Sequence, residues 1–91
     1  MSAFSPRILK NASRQLKKLD PPVAKRIVEQ ITWLAQHFDK IKPEALKGNM
    51  AGLFKYREGD YRIIYEPLYK EKVIVVHEIG HRSEIYKKAK T

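Results

Sequence analysis

The sequence predicts a small α+β domain in which a helix hairpin packs on an antiparallel-rich sheet. Three observations carry this. Apolar residues recur at three- and four-residue steps through the first 38 positions. After position 52 the period changes, and short segments rich in Tyr, Ile, Val and Phe follow. Between two of these, Gly59-Asp60 puts glycine at the first central position of a two-residue loop, as a type II′ hairpin turn requires.

Ser5-Pro6 reads as a helix start, a hydroxyl followed by a proline where no N–H is needed. Ile8, Leu9, Ala12, Leu16 and Leu19 then form one apolar stripe, and Arg7, Lys10, Arg14 and Lys17 share another face. Asp20-Pro21-Pro22 ends this helix and opens a second, with Asp20 placed to cap. Its stripe is Val23, Ile27, Ile31, Leu34 and Phe38, with Trp33 at the edge of the core. A tight turn between two amphipathic helices makes an antiparallel hairpin. Residues 39–52 read as a loop, and strands are expected at Leu53–Arg57, Tyr61–Glu66 and Lys72–Ile79. Pro67 should stop the second strand, and the run Val73–Val76 marks the third as central and covered on both faces. Ser83 can cap a short C-terminal helix, and a single domain spans residues 1–91.

With Gly59-Asp60 as the turn, Glu58 pairs with Tyr61, Arg57 with Arg62, Tyr56 with Ile63, Lys55 with Ile64, and Phe54 with Tyr65. Paired residues share a face. Phe54, Tyr56, Tyr61, Ile63 and Tyr65 therefore make an apolar surface for the helices, while Lys55, Arg57 and Arg62 occupy the other side. Like charges directly opposite one another destabilise an antiparallel pair. The cationic side is either a solvated face neutralised by carboxylates such as Glu66 or Glu78, or an anion site. Arginine suits the second role because its fork grips phosphate oxygens bidentately. Gly80 turns the chain, so His81, Arg82 and Tyr86 are expected on the rim of that face.

Composition narrows the partners. Nineteen Lys and Arg against ten Asp and Glu give a net charge of +9 over 91 residues. Residues 1–38 hold seven cations and two acids, and residues 39–91 hold twelve and eight, so the excess belongs to a folded surface rather than an arm. Polyanions are the usual partners of such a domain. There is no cysteine, and hence no disulfide or zinc–thiolate site. The N-terminus has no apolar signal core and no run approaches the ~18 residues of a membrane span, so the expectation is a cytosolic protein without a membrane partner. His77 and His81, four apart near a strand, would stand roughly 13 Å from each other, and no metal site is expected. Walker, nucleophile-elbow and dinucleotide fingerprints are missing.

One reaction needs only fixed cations and a proton-transfer group: cleavage of RNA by its own 2′-hydroxyl. The 2′-oxygen attacks the adjacent phosphorus, charge builds on the nonbridging oxygens, and the 5′-oxygen leaves. Arginines around that phosphate stabilise the transition state. A lysine crowded by cations, or a histidine, can exchange the proton. A tyrosine can stack on a base.

The segments "LFKYREGDYRIIY" and "GHRSEIY", together with "FSPRILKNASRQLKKLD" and the second helix, resemble the RelE/ParE superfamily of toxin–antitoxin toxins over almost the whole chain. The resemblance implies a β-α-α-β-β-β fold with a short C-terminal helix and a first strand near Ser2 to Ser5. It implies a ribosome-dependent mRNA interferase without cofactor or metal, neutralised by a cognate antitoxin. Its substrate would be mRNA in the ribosomal A site. Arg14, Lys17 and Lys47 are the candidates for contact with ribosomal RNA. Operator DNA would be bound only through the antitoxin complex. By position, Lys55 matches a family acid/base or charge-stabilising lysine, Arg62 and Arg82 match active-site arginines, and Tyr86 matches a substrate-stacking tyrosine. Some relatives carry another lysine where Leu53 stands, which leaves Arg57 and His81 as further candidates for the site. The ParE branch, which inhibits DNA gyrase without cutting RNA, is the alternative.

Overall fold

The computed structural model describes residues 3–85. Five strands and two α-helices follow in the order β1 (Ser5–Ile8), α1 (Lys10–Lys17), α2 (Pro21–Gln36), β2 (Glu44–Ala45), β3 (Phe54–Glu58), β4 (Tyr61–Leu68) and β5 (Val73–His81). The sheet order is β1-β5-β4-β3-β2, with β1 and β5 parallel and the other neighbours antiparallel. Both helices pack on one face of this sheet, and the α+β class follows.

The chain begins differently from the sequence expectation. Ser5-Pro6 does not start a helix, and the first strand is Ser5–Ile8 rather than Ser2 to Ser5. Backbone N–H groups of Ser5 and Leu9 donate to the carbonyls of Lys72 and Val76 at 2.8 and 3.1 Å. Donors alternate along a parallel strand, so Pro6 falls where an N–H would face the outer edge. Pairing with β5 thus overrides the local start signal. Arg7 leaves the helical row, which shrinks to the exposed Lys10, Arg14 and Lys17.

Asp20 occupies the N-cap of α2 but its side chain makes no capping bond. An N-cap oxygen takes the N–H of the second or third helical residue. Pro22 removes the former, which leaves only Val23. Trp33, expected at the core edge, is 44% exposed and stacks on His37 at 4.5 Å between centroids.

The apolar stripes close two adjoining clusters against the sheet. One joins Phe4, Leu34, Ala35 and Phe38 to Tyr65 and Ile74. The other joins Ala12, Ile27 and Ile31 to Ile63, Val76 and Ile79, with Leu16 and Leu19 at its margin. Tyr56 touches both, and its hydroxyl donates to Gln30 Oε1 of α2 at 3.1 Å.

The hairpin register matches all five expected pairs. Gly59 has φ +59°, whereas Asp60 is not left-handed, which selects type II′ over type I′. Pro67 does not stop β4, which continues to Leu68 against β5. The β3 partner reaches only Tyr65, so that side of β4 asks nothing of a residue without an N–H. The expected loop contains the short strand β2, paired with Phe54 and Lys55. On β5 one extra residue intervenes, since Ile64 pairs with Glu78 and Tyr65 with Val76. His77 forms this bulge. Val73–Val76 lies between two strands, as its unbroken apolar run implies.

Candidate active site at the hairpin end of the sheet

Three of the expected site residues share the face turned away from the helices. Lys55 pairs with Ile64 and, across β2, with Glu44. Arg57 pairs directly with Arg62, whose β5 partner is Gly80. Ile64 on this face is fully buried although it belongs to neither helix-facing cluster. The sheet here is a closed floor under the cations rather than an open ladder.

Each arginine is held by a different acceptor. Arg57 Nη2 donates to Glu44 Oε2 at 3.1 Å, with both side chains exposed. The half-buried Arg62 curls onto its own turn, its Nη1 donating to the carbonyls of Gly59 and Tyr61 at 3.0 and 2.9 Å. Arg82 lies just past β5. Its backbone N–H donates to the Asp60 carbonyl at 2.8 Å, and its Nε stands 3.6 Å from Asp60 Oδ1. The hairpin tip therefore gathers Arg57, Arg62 and Arg82, and Lys55 follows two residues along β3.

Glu66 and Glu78, the neutralising carboxylates suggested by sequence, have other partners. Glu66 Oε1 is 3.0 Å from His77 Nε2, and Glu78 Oε1 accepts from Gln15 Nε2 at 3.0 Å. Sequence reading missed Glu44 and Asp60, the acids that meet Arg57 and Arg82. Glu44 sits in a strand of two residues, too short for any periodicity to reveal.

His81 is placed on the other face from the one expected. It pairs with Tyr61, against whose ring it packs edge-on at 5.6 Å, and so turns toward the helices. A cleft of about 220 Å³ opens there between α1 and the sheet, lined by Gln15, Lys18, Leu19, Tyr61, Ile79, His81 and Ile85. His81 Nδ1 accepts the Ser83 N–H at 3.1 Å and lies 2.8 Å from Ser83 Oγ, so in the neutral ring the proton is on Nε2. Tyr86 and the rest of the expected C-terminal helix lie outside the described residues. Arg14 and Lys17 are exposed on α1, and Lys47 is exposed before a 3-10 turn at Gly48–Met50, away from the hairpin cations in sequence and element.

The side chain of Gln15 completes the free edge of β5. Its Oε1 accepts the Ile79 N–H at 2.6 Å, while Asn11 Nδ2 donates to the His77 carbonyl at 3.3 Å. Helix α1 thereby replaces a neighbouring strand beyond the end of β1 and fixes the segment that leads to Arg82.

Among the described residues no group of three His, Asp or Glu side chains is arranged to hold a metal ion. Burial pushes the Tyr56 phenol above its usual range, with Glu58 adding to the effect. No helix among the described residues is long and apolar enough to cross a membrane.

Comparison with known proteins agrees with this architecture. The family described as ParE toxin of type II toxin–antitoxin system, parDE, matches residues 7–86. Toxin RelG of Mycobacterium tuberculosis is 27% identical over 93% of this chain and 98% of its own length. The toxin–antitoxin complex RelBE2 of the same organism contains a chain with TM-score 0.82 and 27% identity, covering 92% of this chain and 97% of that one. The archaeal RelE–RelB complex of Pyrococcus horikoshii gives TM-score 0.71 at 27% identity, with 90% and 98% covered. The chain belongs to the ParE toxin family of type II toxin–antitoxin systems, within the RelE/ParE superfamily.

Proposed function

We propose that this toxin is a RelE-type endoribonuclease that cuts mRNA in the ribosomal A site and is neutralised by a cognate antitoxin. The observation that carries this reading is the directly opposed Arg57–Arg62 pair at the hairpin tip to which Arg82 is tied. Like charges so placed oppose folding, and a phosphate between them would turn that opposition into binding.

In the reaction, the 2′-oxygen attacks phosphorus and loses its proton to a base. The P–O5′ bond breaks, leaving a 2′,3′-cyclic phosphate, and the departing 5′-oxygen takes up a proton to become a hydroxyl. Arg62 and Arg82 stabilise the nonbridging oxygens, and their present acceptors, two carbonyls and one carboxylate, give way to phosphate oxygens. Arg57 acts by charge. Lys55 on the floor is assigned the proton transfer, since His81 turns to the helix side of the sheet, away from the arginines. Arg14, Lys17 and Lys47 offer exposed cations to ribosomal RNA, a contact whose strength should fall with salt. Tyr86 is assigned base stacking from its place in the family motif alone.

The family match favours a second reading, inhibition of DNA gyrase without RNA cleavage. Mapping cut positions on ribosome-bound mRNA in a translating extract separates the two. Cuts that vanish with Arg82→Ala, in a protein that stays folded and still binds antitoxin, support the nuclease. Intact mRNA alongside blocked gyrase supercoiling would refute it.

A further inference from the structure

At the other end of the sheet lies a cavity of about 420 Å³ lined by Phe4, Phe38, Asp39, Ile41, Pro43, Tyr69 and Lys72. It is about seven residues along β4 from Arg62, or roughly 23 Å at ~3.3 Å per residue. Three rings shape it. Phe4 meets Phe38 at 5.0 Å and 63°, Phe4 meets Tyr69 at 6.2 Å and 89°, and Phe38 meets Tyr69 at 6.0 Å and 47°. The phenylalanines are buried, whereas Tyr69 is 63% exposed. Nothing in the nuclease reading uses this cavity.

Lys72 on its lip has φ +57°, and among the described residues it is the one non-glycine with positive φ. A lysine there costs about 1 kcal/mol that glycine would not. Its carbonyl accepts the Ser5 N–H, which explains the backbone but not the choice of side chain. Lys40, Lys42 and Lys70 adjoin its lining residues in sequence, as do Glu44 and Glu71, while Asp39 itself lines it. The opening is apolar within, and lysines outnumber acids in the segments that form it.

We propose that this cavity docks a segment of the antitoxin, seating a large apolar side chain on the Phe4–Phe38–Tyr69 rings with a neighbouring carboxylate on Lys72. The inference rests on the reading of the chain as an antitoxin-controlled toxin. A nucleobase is the poorer occupant, because these rings meet edge-on or tilted and offer no parallel slot for stacking. An aliphatic or aromatic side chain suits edge-to-face walls. Excess lysine selects an acidic segment. Docking so far from the arginines would leave the antitoxin anchored independently of whatever it does at the cationic face.

Titration calorimetry of the purified cognate antitoxin into the full chain and its variants tests the assignment. Tyr69→Ala truncates an exposed wall, and Lys72→Gly removes the ammonium while relieving the backbone. Both should therefore fold, which circular dichroism checks. Tyr69→Ala should weaken binding at least about tenfold, and Lys72→Gly about three- to tenfold with a shallower salt dependence. Arg82→Ala should stay within about twofold of wild type on this reading. If wild type binds antitoxin and both cavity variants match it, the docking site is wrong while the toxin reading stands. If wild type does not bind, the reading beneath the proposal falls with it. A Tyr69→Ala variant that loses affinity for an RNA oligonucleotide but not for antitoxin, or that converts a wild-type dimer to monomer with antitoxin binding unchanged, would also overturn it.

Discussion

Arg57 and Arg62 stand directly across the β3–β4 ladder, yet their guanidinium groups bind different acceptors, Glu44 for one and the turn carbonyls for the other. Separate anchoring reduces the cost of placing like charges opposite each other without abolishing it. A double-mutant cycle with Arg57→Ala and Arg62→Ala should give a repulsive coupling of about 0.2–1 kcal/mol. Urea unfolding in 20 mM and 500 mM salt checks this, and the coupling should shrink at the higher salt as the charges are screened. A favourable coupling would mean that the pair is a structural device rather than an anion site.

Tyr65 is fully buried and its hydroxyl has no hydrogen-bond partner among the described residues, an anomaly in the otherwise apolar cluster beneath α2. Such an orphan costs about 1–3 kcal/mol. Tyr65→Phe should therefore stabilise the domain by about 1 kcal/mol or more, read from the urea midpoint. The phenol is also held neutral well above its usual 10.0, first by burial and then by Tyr69, Glu44 and Tyr56. A raised pKa favours the fold fully below the unfolded value and less as pH rises beyond it. Wild type should lose stability from pH 10 upward, and Tyr65→Phe should flatten most of that decline. Tyr56, also raised, supplies a smaller remainder.

Gln15 satisfies the backbone of β5 from a helix, so its loss exposes a strand edge. Gln15→Leu keeps the volume but orphans the Ile79 N–H and a Glu78 oxygen. The expected destabilisation is about 1–3 kcal/mol. Amide exchange at Ile79 should rise far more than at Ile63 on the neighbouring strand. Equal acceleration at both sites would show global loss instead of edge opening.

The hairpin was fully legible, because a Gly at one turn position and alternation on both sides leave a single register that buries the aromatics. The helices were legible as stripes, but their ends were not. Ser5-Pro6 looks the same whether it opens a helix or lies on a sheet edge, and only the distant Lys72 and Val76 carbonyls decide. Pro67 likewise stops a strand or does not according to where β3 ends. For the site, alternation placed Lys55, Arg57 and Arg62 together. The expected turn at Gly80 failed: β5 runs on through Gly80 to His81, which therefore faces the helices with its ladder partner Tyr61. Glu44, Asp60 and Gln15 act through contacts between elements that no local pattern encodes.

Asp60 bears most directly on how the site is held before substrate arrives. Its carboxylate stands 3.6 Å from Arg82 Nε, and both groups are largely exposed. An exposed pair of this kind contributes little to folding, so Asp60→Asn should change stability by less than about 0.5 kcal/mol. Its effect on function should be larger than that. Arg82 must exchange Asp60 for a phosphate, and a carboxylate beside the phosphate also repels it. On the nuclease reading, Asp60→Asn should raise the cleavage rate at subsaturating ribosome concentration about two- to fivefold at low ionic strength. The gain should fade toward 500 mM salt, where both attraction and repulsion are screened. A rate that drops instead would assign Asp60 to holding Arg82 in its working position, and the Arg82 N–H bond to the Asp60 carbonyl would then be insufficient by itself to aim the guanidinium.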